Sequence, residues 1–102
     1  MIRHVVMFRF LPENKAENVR KTKEMLDALP AKIPLIRHSE THIGHPLAAE
    51  GNADLLLISD FESMEDLAAY IGHPDHKAVG AFMRPLRESR SCVDYEIADN
   101  EG

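Results

Sequence analysis

The sequence predicts a single α+β domain in which helices cover one face of a four-stranded antiparallel sheet. The chain has 102 residues, the length of one domain, and 44% of them are hydrophobic, as in ordinary globular proteins. Its hydrophobic residues repeat with the period of strands in some segments and of helices in others, which predicts the order β-α-β-β-α-α-β. We assign the domain to residues 1–98 and a short acidic tail to residues 99–102.

The first strand is predicted over residues 2–11, where side chains alternate between two faces. The even positions are apolar except for His4. The odd positions are mixed rather than polar, with Val5 and Met7 lying between arginines. A strand with apolar residues on both faces is usually covered on both sides, so this strand gives the first indication of a partner.

A long helix is predicted from residue 13 to residue 29. Pro12 closes the strand before it, and Glu13 suits the first turn because the helix dipole favours an acid there. Pro30 and Pro34 are expected to end the helix and to fill the connection that follows. One stripe marks the buried face: Val19, Thr22, Met25, Leu26 and Leu29.

Two strands come next. The weaker pattern covers residues 35–45, and the clearer one runs from Asp54 to Phe61 around a continuous apolar segment. Residues 46–52 between them are small and polar, which predicts a flexible loop.

Two short helices and a final strand complete the chain. Ser63 is expected to cap the first helix, with Asp66 three residues on as in a capping box. Residues 72–74, Gly-His-Pro, break the helix, and Pro74 suits the first position of the next one. The last strand is predicted over residues 90–98. The helices have apolar faces made of Met64, Leu67, Ala68 and Ile71, and of Val79, Phe82, Met83 and Leu86.

The β-α-β-β-α-β core within this order is the ferredoxin-like arrangement. Its helices cover only one face of the sheet, so the other face needs cover. A second copy of the same sheet is the natural cover, and the sequence therefore predicts a homodimer.

The composition argues against several classes of partner. The net charge is −5, no run of lysine and arginine occurs, and aromatic residues make up 6% with no tryptophan. Nucleic acids and anionic membranes both require basic surfaces, so neither is expected to bind. No stretch approaches 18 uninterrupted apolar residues, so no membrane-spanning helix is expected. Arg9 interrupts the apolar start too early for a signal peptide, and a cytoplasmic protein is expected.

Metal and disulfide chemistry are not expected either. Cys92 is the only cysteine, so neither an intrachain disulfide nor a thiolate zinc site is expected, and the single cysteine fits a reducing compartment. We expect it to be a small buried hydrophobe. His38 and His42 share a strand face but stand about 13 Å apart, too far to share one ion. We therefore expect no structural zinc, no haem and no other cofactor. A weak carboxylate or carbonyl site for a hard cation stays open.

The candidate site centres on two residues that flank the helix break. In an unbroken helix Tyr70 and His76 would lie about 120° apart, and the break at residues 72–74 removes that constraint. The phenol and the imidazole can then converge on a pocket between helices and sheet. His4, the polar residue on the apolar face of the first strand, can approach the same space.

Such a set can move protons. Histidine has an unperturbed pKa near 6.5, and a tyrosine hydroxyl can hydrogen-bond to a developing enolate. We expect His73, Phe8 and Phe82 to contribute to substrate binding. The alternative is structural: His4 is a core histidine, His73 caps a helix and Tyr70 packs its ring. The pattern alone leaves both interpretations open.

The chain resembles the stress-responsive dimeric A/B barrel family over nearly its whole length. The likeness begins at residues 4–8 (HVVMF), continues at residues 54–57 and 61–63, and ends at residues 94–95. It is most specific at residues 73–76, His-Pro-Asp-His.

The resemblance implies a ferredoxin-like subunit whose two copies close a barrel across a two-fold axis. The family includes the plant olivetolic acid cyclase, which closes a linear polyketide by an aldol condensation without an added cofactor. Its catalytic tyrosine and histidine match Tyr70 and His76, and a histidine in its pocket matches His4. Its tyrosine on the first helix has no counterpart near Met25 and Leu26, so the resemblance does not imply polyketide specificity.

Three functions follow as hypotheses. The first is cofactor-free acid/base chemistry, of cyclase or isomerase type, on an enolisable or aromatic small molecule. Here Tyr70 orients the substrate oxygen, His76 is the base and His4 assists. The second is a non-catalytic stress-responsive or ligand-binding protein. The third is a cofactor-independent monooxygenase-like enzyme, since related dimeric barrels include these.

Overall fold

A computed structural model describes residues 1–98, so the predicted tail at residues 99–102 lies outside the described residues. Seven elements follow one another along this part of the chain: β1 Ile2–Phe10, α1 Lys15–Lys32, β2 His38–Ile43, β3 Leu55–Phe61, α2 Met64–Ile71, α3 Pro74–Met83 and β4 Arg87–Glu96. Among residues 1–98, no helix is long and apolar enough to cross a membrane.

The four strands form one antiparallel sheet in the order β2-β3-β1-β4. Helices pack on one face of it, which confirms the predicted ferredoxin-like α+β fold. The even positions of β1 are the buried ones, because they face the helices. The core between sheet and helices includes Val6, Phe8, Phe10, Leu26, Leu29, Leu55, Leu57, Phe61, Leu67, Tyr70, Val79 and Met83.

Helix α1 has the predicted buried stripe but different ends. It begins at Lys15 after Asn14, whose φ of 52° is left-handed, a conformation that asparagine tolerates. Glu13 therefore precedes the helix. The prediction that Pro30 ends the helix is wrong, because Pro30 lies inside its last turn. Proline there removes a single hydrogen-bond donor, and the next residues still close the turn: the amide of Ile33 donates to the carbonyl of Leu29 at 2.8 Å.

The starts of two strands differ by three residues from the predicted ones. β2 begins at His38 rather than at residue 35, because residues 34 and 35 form a turn. β4 begins at Arg87 rather than at residue 90, because Arg87 still pairs with Phe10 of β1. The register between the two strands shifts between Arg9 and Phe10.

The helix break is confirmed. The hydroxyl of Ser63 accepts a hydrogen bond from the amide of Asp66 at 3.1 Å, which caps α2. The side chain of His73 caps α3 by accepting a hydrogen bond from the amide of Asp75 at 3.1 Å, and Pro74 is the first residue of that helix. α3 ends at Met83, before Leu86.

The sheet face away from the helices is partly apolar. β4 is an edge strand, and all its residues except Arg87 are exposed. Val5 pairs with Val93 on this outer face, and the neighbouring row brings Arg3 beside Tyr95. The exposed fractions of Met7 and Val93 are 47% and 54% in the single chain. This outer face is the surface for which the sequence predicts a second copy.

Candidate small-molecule site

Tyr70 and His76 lie side by side across the helix break. Tyr70 is near the end of α2 and His76 is in the first turn of α3. Their ring centroids are 4.5 Å apart with an interplanar angle of 56°. The two helix segments thus place a phenol against an imidazole, as the break was expected to allow. Their chemical roles stay a prediction.

His4 and Phe61 complete a four-ring cluster from the sheet. The rings of His4 and Tyr70 are 6.2 Å apart and edge to face, and those of Phe61 and Tyr70 are 4.9 Å apart. Tyr70 is only 1% exposed and His4 only 3%. The helix break therefore sits directly above the buried histidine of β1.

The hydrogen bonds of the cluster define which ring nitrogens carry protons. Nδ1 of His76 is 3.1 Å from the carbonyl oxygen of Ile71, which can only accept, so Nδ1 is the donor. In neutral His76, Nε2 is then an acceptor. Nδ1 of His4 lies 2.5 Å from a carboxylate oxygen of Asp94 and donates to it, because an ionised carboxylate only accepts. In neutral His4, Nε2 is then likewise an acceptor.

Burial shifts two pKa values in opposite senses. It raises the pKa of Tyr70 to about 12, so the phenol keeps its proton at neutral pH. It lowers the pKa of His76, because the charged imidazolium loses hydration, and the carbonyl of Ile71 only partly opposes this. The pair therefore combines a neutral imidazole with a protonated phenol.

The hydroxyl of Tyr70 has no hydrogen-bond partner within residues 1–98. The side chain is 1% exposed, so the unpaired hydroxyl lies in a buried environment. It is a hydrogen-bond donor that no described residue uses.

A row of polar residues crosses the helix-facing side of the sheet beneath these rings. The strand registers place Ser39 beside Ser59, Ser59 beside His4, and His4 beside Asp94. This row interrupts an otherwise apolar face. The row and the paired helix residues above it define the candidate site.

The other predicted site residues make no ring contact with the cluster within residues 1–98. His73 adjoins it, because its amide donates to the carbonyl of Tyr70 at 3.1 Å, but its Nδ1 caps α3. Phe8 is in the core four residues from His4, about 13 Å along the strand. Phe82 is six residues after His76, about 9 Å along the helix and about 120° around it. No ring contact in residues 1–98 joins Phe8 or Phe82 to the cluster.

Sequence reasoning missed Asp94 and misjudged Cys92. The expectation that Cys92 is buried is wrong, because β4 is the edge strand of the sheet and its residues from Glu88 onward are exposed. Its sulfur lies 3.5 Å from Nδ1 of His4 and 3.6 Å from Asp94. The one sequence signal for this contact is an acid two residues after a cysteine in the last strand. It does not point to His4 unless the register between β1 and β4 is known.

A cavity lies at the other end of β1. It has a volume of about 820 Å³ and is lined by Phe10, the start of α1 and the connection between β2 and β3. Two of its basic residues are in ion pairs, Lys15 with Asp54 at 3.5 Å and Arg9 with Glu88 at 3.3 Å. Neither Tyr70 nor His76 lines this cavity, and we place the candidate chemistry at the ring cluster.

Comparison with known proteins identifies relatives of the whole fold. A stress-response A/B barrel domain-containing protein from Arabidopsis thaliana is 31% identical over 100 residues. The match covers 97% of this chain and 37% of that protein, so the chain spans little more than a third of its relative's length.

Solved structures agree with this relationship. A dimeric protein of unknown function and ferredoxin-like fold from Bacteroides fragilis is 34% identical, with a TM-score of 0.86 over 94% of this chain and 95% of that one. A hydroxynitrile lyase from Passiflora edulis shares the fold at 16% identity, with a TM-score of 0.81 over 99% and 96% of the two chains. The profile of the stress responsive A/B barrel domain matches residues 2–97. The chain belongs to the stress-responsive A/B barrel domain family.

Proposed function

We propose that this chain binds a small enolisable or aromatic molecule and catalyses a cofactor-free proton transfer on it, of the cyclase or isomerase type. One observation carries the proposal: a neutral imidazole and a protonated phenol lie with their rings 4.5 Å apart beside His4 of the polar row. Pairs of titratable groups whose pKa values are pushed apart by burial are typical of acid/base sites.

In this proposal His76 is the base. Its Nδ1 is held by the carbonyl of Ile71, so Nε2 accepts a proton from the carbon next to the substrate carbonyl. The hydroxyl of Tyr70 donates a hydrogen bond to the carbonyl oxygen as it becomes an enolate. The imidazolium then returns the proton to carbon or oxygen, which completes an isomerisation or prepares a ring closure.

His4 assists from the sheet. Asp94 holds Nδ1 of His4 and so fixes the orientation of the ring, which lies edge to face with the ring of Tyr70. Nε2 of His4 is then available to a second polar group of the substrate. In this proposal Asp94 is a positioning residue that acts through His4.

The test is hydrogen exchange into candidate substrates. The chain is incubated in deuterated water with a panel of aryl ketones and 1,3-dicarbonyl compounds, and NMR follows deuterium entering the activated carbon. We expect exchange above the buffer rate for at least one structural class. If no compound of the panel exchanges faster with the protein than in buffer alone, the proposal is contradicted.

The pH dependence of that exchange follows from the lowered pKa of His76. Only the neutral imidazole accepts a proton, so the rate falls as the pH drops through this pKa. Because burial lowers the pKa from its ordinary value of 6.5, we expect the midpoint below 6.5. The rate should then stay level through neutral pH, since the phenol of Tyr70 titrates only near 12.

The check is a rate profile measured between about pH 5 and 9, compared with the same profile for Tyr70→Phe. The variant is slower but should keep the same midpoint, because the midpoint belongs to His76. A midpoint above 6.5, or one that moves when the phenol is removed, contradicts the assignment of the base.

A non-catalytic ligand-binding role is the second candidate. The close packing of Tyr70 against Phe61, with centroids 4.9 Å apart, favours it because the ring also contributes to the core. The exchange assay separates the two roles. A ligand that shifts NMR signals of the site without exchanging its protons supports binding alone.

We also propose that the chain functions as a homodimer joined through the outer face of the sheet. The exposed apolar side chains there support this, as does the dimeric relative from Bacteroides fragilis. The helix-facing site does not lie on that surface.

A further inference from the structure

We propose that His4, Cys92 and Asp94 form a binding site for a zinc-class divalent metal ion. The three residues come from neighbouring strands and lie on the same, helix-facing side of the sheet. One ligand atom from each lies within 4.8 Å of the others. The proposal does not depend on the proton-transfer function.

The pairing of β1 with β4 creates the cluster. Asp94 is directly opposite His4, and Cys92 is opposite Val6, so both β4 side chains point to the face that His4 occupies. The sequence predicted no zinc site because it has one cysteine and its histidines are dispersed. The strand register brings a different set of ligands together. Cys92 and Asp94 are 88 and 90 positions from His4 along the chain, but the pairing of β1 with β4 places them next to it.

The distances suit a tetrahedral ion. Bond lengths of about 2.3 Å to sulfur and about 2.1 Å to nitrogen or oxygen put tetrahedral ligands about 3.6 Å from the sulfur. The observed separations are 3.5 Å from the sulfur to Nδ1 of His4 and 3.6 Å from the sulfur to Asp94.

One separation must widen for the ion to enter. Nδ1 of His4 and the carboxylate of Asp94 are 2.5 Å apart, and a shared ion needs about 3.4 Å. Asp94 is able to make this movement because its side chain is 29% exposed on an edge strand. The ion would replace the proton that His4 and Asp94 now share in their hydrogen bond.

The donor set selects the metal class. Thiolate, imidazole and carboxylate together are typical zinc ligands, whereas calcium and magnesium prefer oxygen alone. Three protein ligands leave a fourth position for water or a small molecule. Cys92 and Asp94 are exposed on the edge strand, so solvent can reach this fourth coordination position.

Cobalt(II) is the probe, because a cobalt–thiolate bond gives a charge-transfer band in the near ultraviolet. The untagged chain is stripped with a chelator under reducing conditions and titrated with cobalt(II). We expect this band together with the visible bands of a tetrahedral ion. It should saturate at one ion per chain and disappear when zinc is added. Since Cys92 is the only cysteine, the band reports this site alone.

Matched variants complete the test. Cys92→Ala should abolish the band, and Asp94→Asn should weaken zinc binding by at least about tenfold. Both residues are exposed, so both variants should unfold at the temperature of the parent chain. His42→Ala, on the opposite face of the sheet, is the control and should leave the band unchanged. Absence of the band at one equivalent of cobalt, or equal zinc affinity in the parent chain and Cys92→Ala, overturns the proposal.

Discussion

Replacing His76 with alanine is expected to slow deuterium exchange into a substrate by about a hundredfold or more, the usual contribution of a general base. Tyr70→Phe should have an effect of similar size, because it removes the hydroxyl that stabilises the enolate and keeps the ring that packs on Phe61. The measurement is the initial exchange rate at saturating substrate, with thermal unfolding recorded for each variant.

Stability separates a catalytic role from a structural one. His76 is half-buried and Tyr70→Phe preserves the core volume, so both variants should remain folded. His45→Ala is the control, since it removes an exposed imidazole from the connection between β2 and β3, outside the ring cluster and outside the sheet. If His76→Ala lowers the melting temperature and leaves the exchange rate within about twofold of the parent, the pair is structural and the catalytic proposal is wrong.

Placing a charge on the outer face of the sheet is expected to separate the proposed dimer. Val93→Asp puts a carboxylate opposite Val5, where the second copy would bury it without a partner. An unpaired buried charge costs several kcal/mol, which raises the dissociation constant by about a thousandfold or more. Light scattering after gel filtration should show twice the chain mass for the parent and the chain mass for the variant.

The control for this experiment is Leu47→Asp. Leu47 is 87% exposed in the connection between β2 and β3, so a charge there should leave the dimer intact. A parent chain that runs as a monomer at micromolar concentration contradicts the barrel. A Val93→Asp variant that remains a dimer means that the second copy covers a different surface.

Local patterns predicted much of this fold because they depend on neighbours in the sequence. The alternation in β1 identified which residues face the helices, and Ser63 marked the start of α2 through its hydrogen bond to Asp66. Pro30 shows where such a rule fails. A proline in the last turn costs one hydrogen bond, and burial of Leu26 and Leu29 on the same helix outweighs that cost.

The candidate site was predicted only where its residues are close in sequence. Tyr70 and His76 flank one break, so their convergence follows from the Gly-His-Pro segment between them. Asp94 and Cys92 meet His4 through the register of β1 with β4, and no local pattern specifies a register between strands at opposite ends of the chain. The exposure of Cys92 likewise depends on the strand order, which places β4 at the edge of the sheet.

The most direct test of the central claim is a crystal structure of the chain with a compound that the exchange assay identifies. We expect the carbonyl oxygen of that compound within hydrogen-bond distance of the Tyr70 hydroxyl, and its activated carbon facing Nε2 of His76. A compound bound instead in the cavity between the start of α1 and the connection from β2 to β3, with Tyr70 and His76 untouched, would contradict this claim.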